Sequence, residues 1–520
     1  MPAKSIQSLP VSVMARILSY LVPEPLPIET RGDDLDPQKR GDNGDDVSDF
    51  LSRRRQLREL CLVSRQFHKV AHPCLMHSIA LVSGKQLVLL FTQLWEKPQL
   101  RERIRNFACF VPMGGRRHGF EASLEWNDVV PLLPSPSGGH DYRLLCATGL
   151  RLEPVEDGQC DLEGNQYDDI YYLPQRLLAL TVMLASRVED LLITIPSIQH
   201  ERAKELGDVL KKAAWPESNI DVPCFGHLHK IRVQAINSRG DFVRLDPMYL
   251  PTFELAADRP VREVELRMDS GKWPHEFGSP LGARMRWFQR GEDALKHAEA
   301  LRKIEHLALL QSHTQLATLH NILTRTTSLS RLRWTSNLPL GKLFRNWKTF
   351  WSLEDALKPV QEKLASLHLE LLNGTTLTGP GSSRPFLNAS GFSNLLYLKV
   401  DTVVLFGTLT EEMCLRKKLP GSLVELVIIE RWASHVLESL KARAARAVNH
   451  DVRLSKMLFS LLAGHPRELD DLLAVTFRAL PPVHSQQVSD LHGALRSQRA
   501  IVRMEYQFAM AAVLYSLEWQ

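Results

Sequence analysis

The sequence predicts an α/β protein that begins with short helices, continues as repeated strand–helix units and ends in helices. Three observations support this prediction. Short apolar stripes at helical spacing lie within residues 1–82, a six-residue strand pattern recurs between residues 104 and 428, and residues 436–520 have helical periodicity interrupted by prolines. We therefore expect three domains, at 1–82, 83–435 and 436–520.

The N-terminal helices are predicted from their apolar spacing and their start signals. A first helix begins after Pro10, which is tolerated at a helix start, and Ser64 is placed to cap a third helix. The apolar stripes are Val13, Ile17, Leu18 and Leu21 in the first helix, Leu57, Leu60 and Cys61 in the second, and Phe67, Val70 and Ala71 in the third.

An acidic insert separates the first two helices. Residues 22–50 contain three prolines, at positions 23, 25 and 27, followed by a tract rich in glycine and aspartate. Such low hydrophobicity does not offset the entropy lost on ordering a chain. We therefore expect a disordered loop at about 22–50.

The central region is predicted from the pattern apolar-x-x-apolar-x-apolar. Three specified apolar positions match by chance at roughly 8% of starts in such a chain, so the stronger signal is what separates the matches: from the second match on, the intervals run from about twenty-five to about forty residues. Helices are expected between some of them, at Glu201–Trp215, Leu316–Thr326 and Ser352–Leu364. The nine matches are Ile104–Cys109, Val188–Ile193, Leu228–Val233, Val261–Leu266, Ile304–Leu309, Leu329–Trp334, Leu364–Leu369, Leu395–Val400 and Leu423–Ile428.

A strand plus a helix, repeated at intervals of some tens of residues, is typical of a leucine-rich-repeat solenoid. A pair of separate α/β domains is the alternative, which the regular alternation without a linker disfavours. The tail is expected to cap the last apolar edge of the solenoid with helices. These are predicted at Glu438–Val448, Leu454–Ala463, Leu469–Ala479 and Val488–Leu517.

Composition excludes several classes of function. The net charge of +5 is spread over 520 residues, and the densest basic run, at 53–55, has no interleaved aromatic residues, so no nucleic-acid partner is expected. The seven cysteines are scattered without a Cys-x-x-Cys pair, which favours a reducing compartment over disulfides or zinc. No secretory signal follows Met1, and the most apolar patch, 177–185, is too short to cross a membrane. We expect a chain of the cytoplasm and/or nucleus.

Motifs for catalysis are not found in the sequence. It contains no Gly-x-Ser-x-Gly elbow and no phosphate-binding loop, and His227 with His229 forms an incomplete metal site. We therefore predict no catalytic residues, no metal and no cofactor. An enzyme with a divergent motif is the alternative.

The N-terminal residues resemble the F-box, and those behind it resemble the degenerate leucine-rich repeats found in fungal F-box proteins. The likeness lies in Leu9-Pro10 ahead of the first stripe, in the run Leu-Arg-Glu-Leu-Cys-Leu-Val-Ser-Arg-Gln-Phe-His-Lys-Val-Ala at 57–71, and, more loosely, in Phe392–Trp432. An ordinary helical hairpin is the alternative for the N-terminal part.

The resemblance implies a non-catalytic substrate-recognition subunit of a Skp–cullin–F-box ubiquitin ligase. Its partners would be a Skp-type adaptor, cullin through that adaptor, and an unknown protein target. A scaffold that binds the adaptor outside a ligase is the alternative. The residues that the resemblance assigns to adaptor binding are Leu9, Pro10, Val13, Ile17, Leu18, Leu21, Leu62, Val63, Phe67 and Val70.

A target would bind the concave face of such a solenoid. Side chains alternate along a strand, so the residue between the last two apolar positions of each pattern points away from the core. We expect these residues to line a target-binding face, with an ordinary solvated surface as the alternative. They are Leu192, Arg232, Glu265, Ala308, Arg333, His368, Lys399 and Val427, called the target row below.

Overall fold

A computed structural model describes residues 10–30, 35, 45–110, 177–195, 227–235, 261–268, 301–337, 352–371, 387–401, 404–405, 418–430, 474–479, 501–507 and 512–518. The chain divides into two compact units. Unit 1 comprises Met1–Met268 with Gly278–Ala300, and unit 2 comprises Asp269–Phe277 with Leu301–Gln520.

Unit 1 begins with a module of three helices, as the apolar stripes predicted. The helices are α1 (Val11–Ser19), α2 (Asp45–Val63) and α3 (Arg65–His77). The Ser64 hydroxyl caps α3 by accepting a hydrogen bond from the Phe67 amide at 3.2 Å. The module has its own small core, which consists of Met14, Leu18, Leu57, Phe67, Val70 and Ala71.

The predicted disordered loop at about 22–50 is wrong at both of its ends. Helix α2 begins at Asp45, and Val47 and Phe50 in its first turns are buried. At the other end, residues 22–30 have a defined path, along which Leu26 and Ile28 are buried. Composition alone underestimated the order of this segment, because nearly all of its few apolar side chains are buried in the structure. Residues 31–34 and 36–44 lie outside the described part of the chain.

Five parallel strands follow the helices in unit 1, and each pairs with the next in chain order. Helix α4 (Gly84–Glu96) follows the first strand, and a 3₁₀ turn (Pro98–Leu100) precedes the second. The strands are β1 (Ser78–Leu81), β2 (Asn106–Cys109), β3 (Asp190–Ile195), β4 (Lys230–Ala235) and β5 (Glu263–Arg267).

In the described part of unit 2, five strands between residues 306 and 430 also pair in parallel in chain order. The predicted helix at Leu316–Thr326 is confirmed as α5 (Leu316–Arg325). That at Ser352–Leu364 is shorter, consisting of α6 (Leu353–Leu357) and a 3₁₀ turn (Lys358–Val360). The helix expected at Glu201–Trp215 lies outside the described residues. The strands are β6 (His306–Ser312), β7 (Arg331–Ser336), β8 (Ser366–Leu371), β9 (Tyr397–Asp401) and β10 (Glu425–Glu430).

All nine sequence patterns correspond to strands, and each strand begins at the third residue of its pattern. The first apolar residue of each pattern, called the leading residue, lies just before the strand. It is buried there and anchors the chain where the chain enters the strand. Backbone bonds repeat at the same place: the Lys230 amide donates to the Glu189 carbonyl at 3.1 Å, and the Glu425 amide to the Leu396 carbonyl at 2.9 Å. The nine leading residues, at most 5% exposed, are Ile104, Val188, Leu228, Val261, Ile304, Leu329, Leu364, Leu395 and Leu423.

The helical C-terminal cap is wrong where the structure describes the tail. Strand β11 (Ala474–Ala479) pairs in parallel with β10, and β12 (Ile501–Gln507) and β13 (Ala512–Glu518) continue from it by antiparallel pairing. These strands replace the helices predicted at Leu469–Ala479 and Val488–Leu517. The segments are rich in β-branched and aromatic residues, and each finds hydrogen-bond partners on a neighbouring strand: β11 on β10, β13 on β11, and β12 on β13. The other two predicted tail helices lie outside the described residues.

None of the helices in the described ranges combines the length and the apolar character needed to span a bilayer.

Candidate functional site

The structure separates the predicted adaptor-binding residues into internal and external ones. Leu18, Phe67 and Val70 belong to the core of the helical module, so their assignment to a docking surface is wrong: burial makes them unreachable for a partner. Leu21 is half-buried against that core, and Leu9 lies outside the described residues. The residues that remain exposed are Pro10, Val13, Ile17, Leu62 and Val63.

Two further exposed apolar side chains, one on α1 and one on the residue after it, were missed from the sequence. Val11 and Tyr20 face solvent, whereas Met14 takes the core position that the predicted stripe gave to Val13. The helix is apolar on more than one side, so periodicity alone does not show which side is buried. Val13, Ile17 and Tyr20 follow one another at spacings of four and three, which places them on one helix face.

Exposed apolar surface is concentrated in this module. Across the described ranges, eight large hydrophobic side chains are exposed, and six of them lie on α1, on the residue after it and at the end of α2. Single exposed apolar residues are ordinary on protein surfaces, but a cluster of them indicates a binding surface. The six, which are 42% to 80% exposed, are Val11, Val13, Ile17, Tyr20, Leu62 and Val63.

The basic run at 53–55 holds the module together. The Arg53 guanidinium donates to the carbonyls of Tyr20, at 3.3 Å, and Val22, at 3.4 Å, at the end of α1. Arg54 donates to the Leu75 carbonyl at 3.2 Å and also to the Ser78 carbonyl, and its burial lowers its pKa. Arg53 and Arg54 therefore satisfy carbonyl groups at the ends of the helices.

The target row is in register within each unit, as side-chain alternation predicted. In unit 1, Leu192 is paired with Arg232, which is paired with Glu265. In unit 2 the pairing runs through Ala308, Arg333, His368, Lys399 and Val427 on successive strands. We call the side of each sheet that carries this row its target face.

Five members of the target row are buried, so the expected open lining is wrong at those positions. Glu265, Arg333 and Lys399 are the half-buried ones. In unit 1 the cause is visible: residues 23–30, called the strap below, lie on the target face. The buried five, at most 9% exposed, are Leu192, Arg232, Ala308, His368 and Val427.

The strap is bound through its backbone carbonyls. The Ser78 hydroxyl of β1 donates to the Pro23 carbonyl at 2.8 Å, and Arg232 of β4 donates to the Leu26 carbonyl. At the other end of the strap, Arg267 of β5 donates to the Glu29 carbonyl at 2.8 Å, and Gln234 of β4 donates to the Thr30 carbonyl at 3.1 Å. Its path therefore crosses the sheet from β1 to β5.

Burial along the strap alternates. Pro23, Leu26, Ile28 and Thr30 are buried, whereas Glu24 and Glu29 face solvent. The side chains that leave water are thus mainly apolar, and the carboxylates avoid the sheet. The Thr30 amide donates to the Pro27 carbonyl at 3.1 Å, which closes a turn at the end of the strap.

The donors beneath the strap are fixed by their neighbours on the sheet. Asp190 accepts from the Arg232 Nε at 2.8 Å, and Thr194 accepts from the Gln234 amide at 3.1 Å. Burial raises the pKa of Asp190, while the Arg232 guanidinium opposes that shift. Because these side chains are held in place, little further ordering is needed to bind a carbonyl-rich segment.

In unit 2 the target face carries a compact ionic group. Glu370 of β8 contacts the His368 imidazole and accepts from the Lys399 ammonium at 3.3 Å. Burial lowers the pKa of His368, and the hydrogen bond with Glu370 acts in the opposite direction. This part of the target face is therefore polar, and its imidazole and carboxylate are largely buried.

His227 and His229 are exposed ahead of β4. No family model matches the chain, and none of the curated proteins matches it in sequence.

Proposed function

We propose that the chain is the substrate-recognition subunit of a Skp–cullin–F-box ubiquitin ligase. Helices α1–α3 would form an F-box that docks a Skp-type adaptor and, through it, cullin. The parallel strands and their helices would form an irregular leucine-rich-repeat solenoid that binds a protein target. Such a protein catalyses nothing itself and works in the cytoplasm and/or nucleus, where it holds a target lysine near the ubiquitin-loaded enzyme and so raises its local concentration.

The observation that carries the proposal is the cluster of exposed apolar side chains on the helical module. A module of this size supports only a small core, yet it leaves Val13, Ile17 and Leu62 in water. Burying an aliphatic side chain fully contributes roughly 1.5–3 kcal/mol. Several such contacts reach the roughly 8 kcal/mol of a micromolar complex after the cost of association is met.

The strand arrangement supports the second half of the proposal. Nine strands share one sequence pattern and one buried leading residue, and seven of them share one backbone bonding arrangement, as expected of a solenoid whose units contact mainly their neighbours. The irregular spacing of these strands agrees with degenerate rather than regular leucine-rich repeats.

The test is capture of the full-length chain by a purified Skp-type adaptor, followed by addition of cullin. We expect Val13→Ser with Ile17→Ser to reduce capture at least tenfold, because both side chains would face the adaptor. The matched control is Leu89→Ser with Leu396→Ser, which changes two equally exposed leucines outside the module and should leave capture unchanged.

Equal capture of both double variants would refute the docking assignment. Capture of the adaptor without recruitment of cullin would refute the ligase role and favour a scaffold. Circular dichroism of both variants checks that the helices are retained.

A further inference from the structure

We propose that the target face of unit 1 is a binding site for a proline-rich peptide and that the strap occupies it as a built-in competitor. Only the identification of that peptide as part of the protein target rests on the proposed function. The binding chemistry itself is argued from contacts within unit 1.

The strap shows which backbone shape the face accepts. From Val22 to Pro27 every residue is a proline or precedes one. Prolines fix φ near −65°, and residues before prolines are restricted to extended conformations. The face therefore holds a segment that is extended before it binds and loses little entropy on binding.

The face also matches the hydrogen-bonding capacity of such a segment. Prolines have carbonyl acceptors but no amide donors. The face supplies donors in return: the Ser78 hydroxyl, the guanidinium groups of Arg232 and Arg267, and the Gln234 amide, each of which reaches a strap carbonyl. A segment with many free amide hydrogens would find fewer partners here.

Side-chain pattern adds selectivity. The face buries Leu26 and Ile28, which flank Pro27, and leaves Glu24 and Glu29 in water. A fitting ligand thus has the form Pro-x-Pro-apolar-Pro-apolar, with polar or acidic residues where the strap has glutamates. The same shape is recognised by domains that bind proline-rich motifs, although there the groove is lined by aromatic residues.

The strap is built to compete with such a ligand. It follows α1 directly, so its local concentration at the face is high and a free peptide must displace it. The fit is incomplete at one point: the buried Thr30 hydroxyl has no hydrogen-bond partner among the described residues. A ligand with an apolar residue at that position would avoid this defect.

The test uses the full-length chain and a fluorescent peptide of sequence Val-Pro-Glu-Pro-Leu-Pro-Ile-Glu-Thr with blocked ends. Binding is measured by fluorescence anisotropy for wild type and for Leu26→Asp with Ile28→Asp, which unseats the strap. We expect the variant to bind the peptide at least tenfold more tightly, because its site is vacant. The control Glu24→Gln changes only an exposed strap position and should behave as wild type.

Two further arms define specificity. A peptide with Asp in place of the residues corresponding to Leu26 and Ile28 should not bind. Adding Gln234→Met to the strap variant should weaken binding several-fold, because the donor to the Thr30 carbonyl is lost.

Equal affinity of wild type and strap variant, or absence of binding to a folded strap variant, overturns the proposal. Should Leu26→Asp with Ile28→Asp fail to fold, Leu26→Ser with Ile28→Ser replaces it with the same expectation. Loss of the fold in both variants also overturns the proposal, since the strap would then be part of the core. No adaptor or cullin is present, so failure of the ligase role leaves this result unaffected.

Discussion

Helix α1 and the strap are neighbours in the chain, but they use their apolar residues in opposite ways. In α1, Met14 and Leu18 face the core while Val13 and Ile17 face solvent. In the strap, Leu26 and Ile28 are buried on the target face of unit 1. The helix therefore offers an apolar surface to another molecule, whereas the strap fills one that its own chain provides. Apolar side chains of the same kind thus take two different roles, which depend on what lies opposite.

The sharpest contrast is between adjacent residues of α1. Leu18 is 4% exposed and Ile17 is 50% exposed. We expect Leu18→Ala to reduce the free energy of unfolding by about 2–5 kcal/mol, because it leaves a cavity in a small core. Ile17→Ala should change it by no more than about 0.5 kcal/mol. Urea unfolding followed by circular dichroism measures both, and similar losses would show that the exposed face is internal.

A smaller effect is expected in the strap. Ile28→Ala removes a buried aliphatic group, but in our proposal the strap leaves the face without unfolding the rest. We therefore expect the global free energy of unfolding to fall by less than about 2 kcal/mol, with a larger fall in amide protection local to β4 and β5. Hydrogen exchange measured by mass spectrometry separates global unfolding from local opening at β4 and β5. A global loss as large as that of Leu18→Ala would argue that the strap is part of the core.

Removal of the Thr30 hydroxyl is predicted to stabilise the protein. This hydroxyl is buried without a partner among the described residues, and an unsatisfied polar group costs about 1–3 kcal/mol. Thr30→Val keeps the shape and removes the hydroxyl, so we expect the free energy of unfolding to rise by about 1 kcal/mol. Thermal unfolding beside Glu24→Gln, an exposed strap residue, provides the measurement. A loss in Thr30→Val would indicate that the hydroxyl has a partner.

The ionic group on unit 2 predicts a dependence on pH. Burial lowers the pKa of His368, so the unfolded chain binds a proton more readily than the folded one. The stability linked to His368 is therefore fully present above the usual histidine pKa of about 6.5. It is lost as the pH falls below that value toward the lower pKa of the folded state.

Urea midpoints at about pH 7.5 and about pH 5.5 test this. The decrease should be smaller in His368→Gln, in which the side chain does not titrate but can still donate to Glu370. An equal decrease in both proteins would assign the effect to other groups.

These comparisons also show what could be predicted from the sequence. The apolar pattern correctly predicted nine strands and their common register. Its first apolar position marks the buried residue before each strand, and the other two mark the alternation of side chains along the strand. The Ser64 cap was predicted for a similar local reason. Each of these features depends on residues close together in the chain.

The features that were predicted wrongly from the sequence depend on residues far apart in the chain. The strap lies on donors about 200 positions away, such as Gln234 for Thr30, and nothing in residues 22–30 reveals them. The buried side of α1 is chosen by Leu57 and Phe67, which lie on other helices. In the tail, pairing with β10 outweighed a helical periodicity that was a local signal only.

The most direct test of the account is calorimetric titration of a Skp-type adaptor into the full-length chain at several temperatures. The account predicts submicromolar binding with a negative heat-capacity change, as expected when apolar surface is buried, and loss of both in Val13→Ser with Ile17→Ser. Binding that is unchanged in that variant, or the absence of binding to the wild type, would contradict the claim that this exposed surface of the helical module docks a partner.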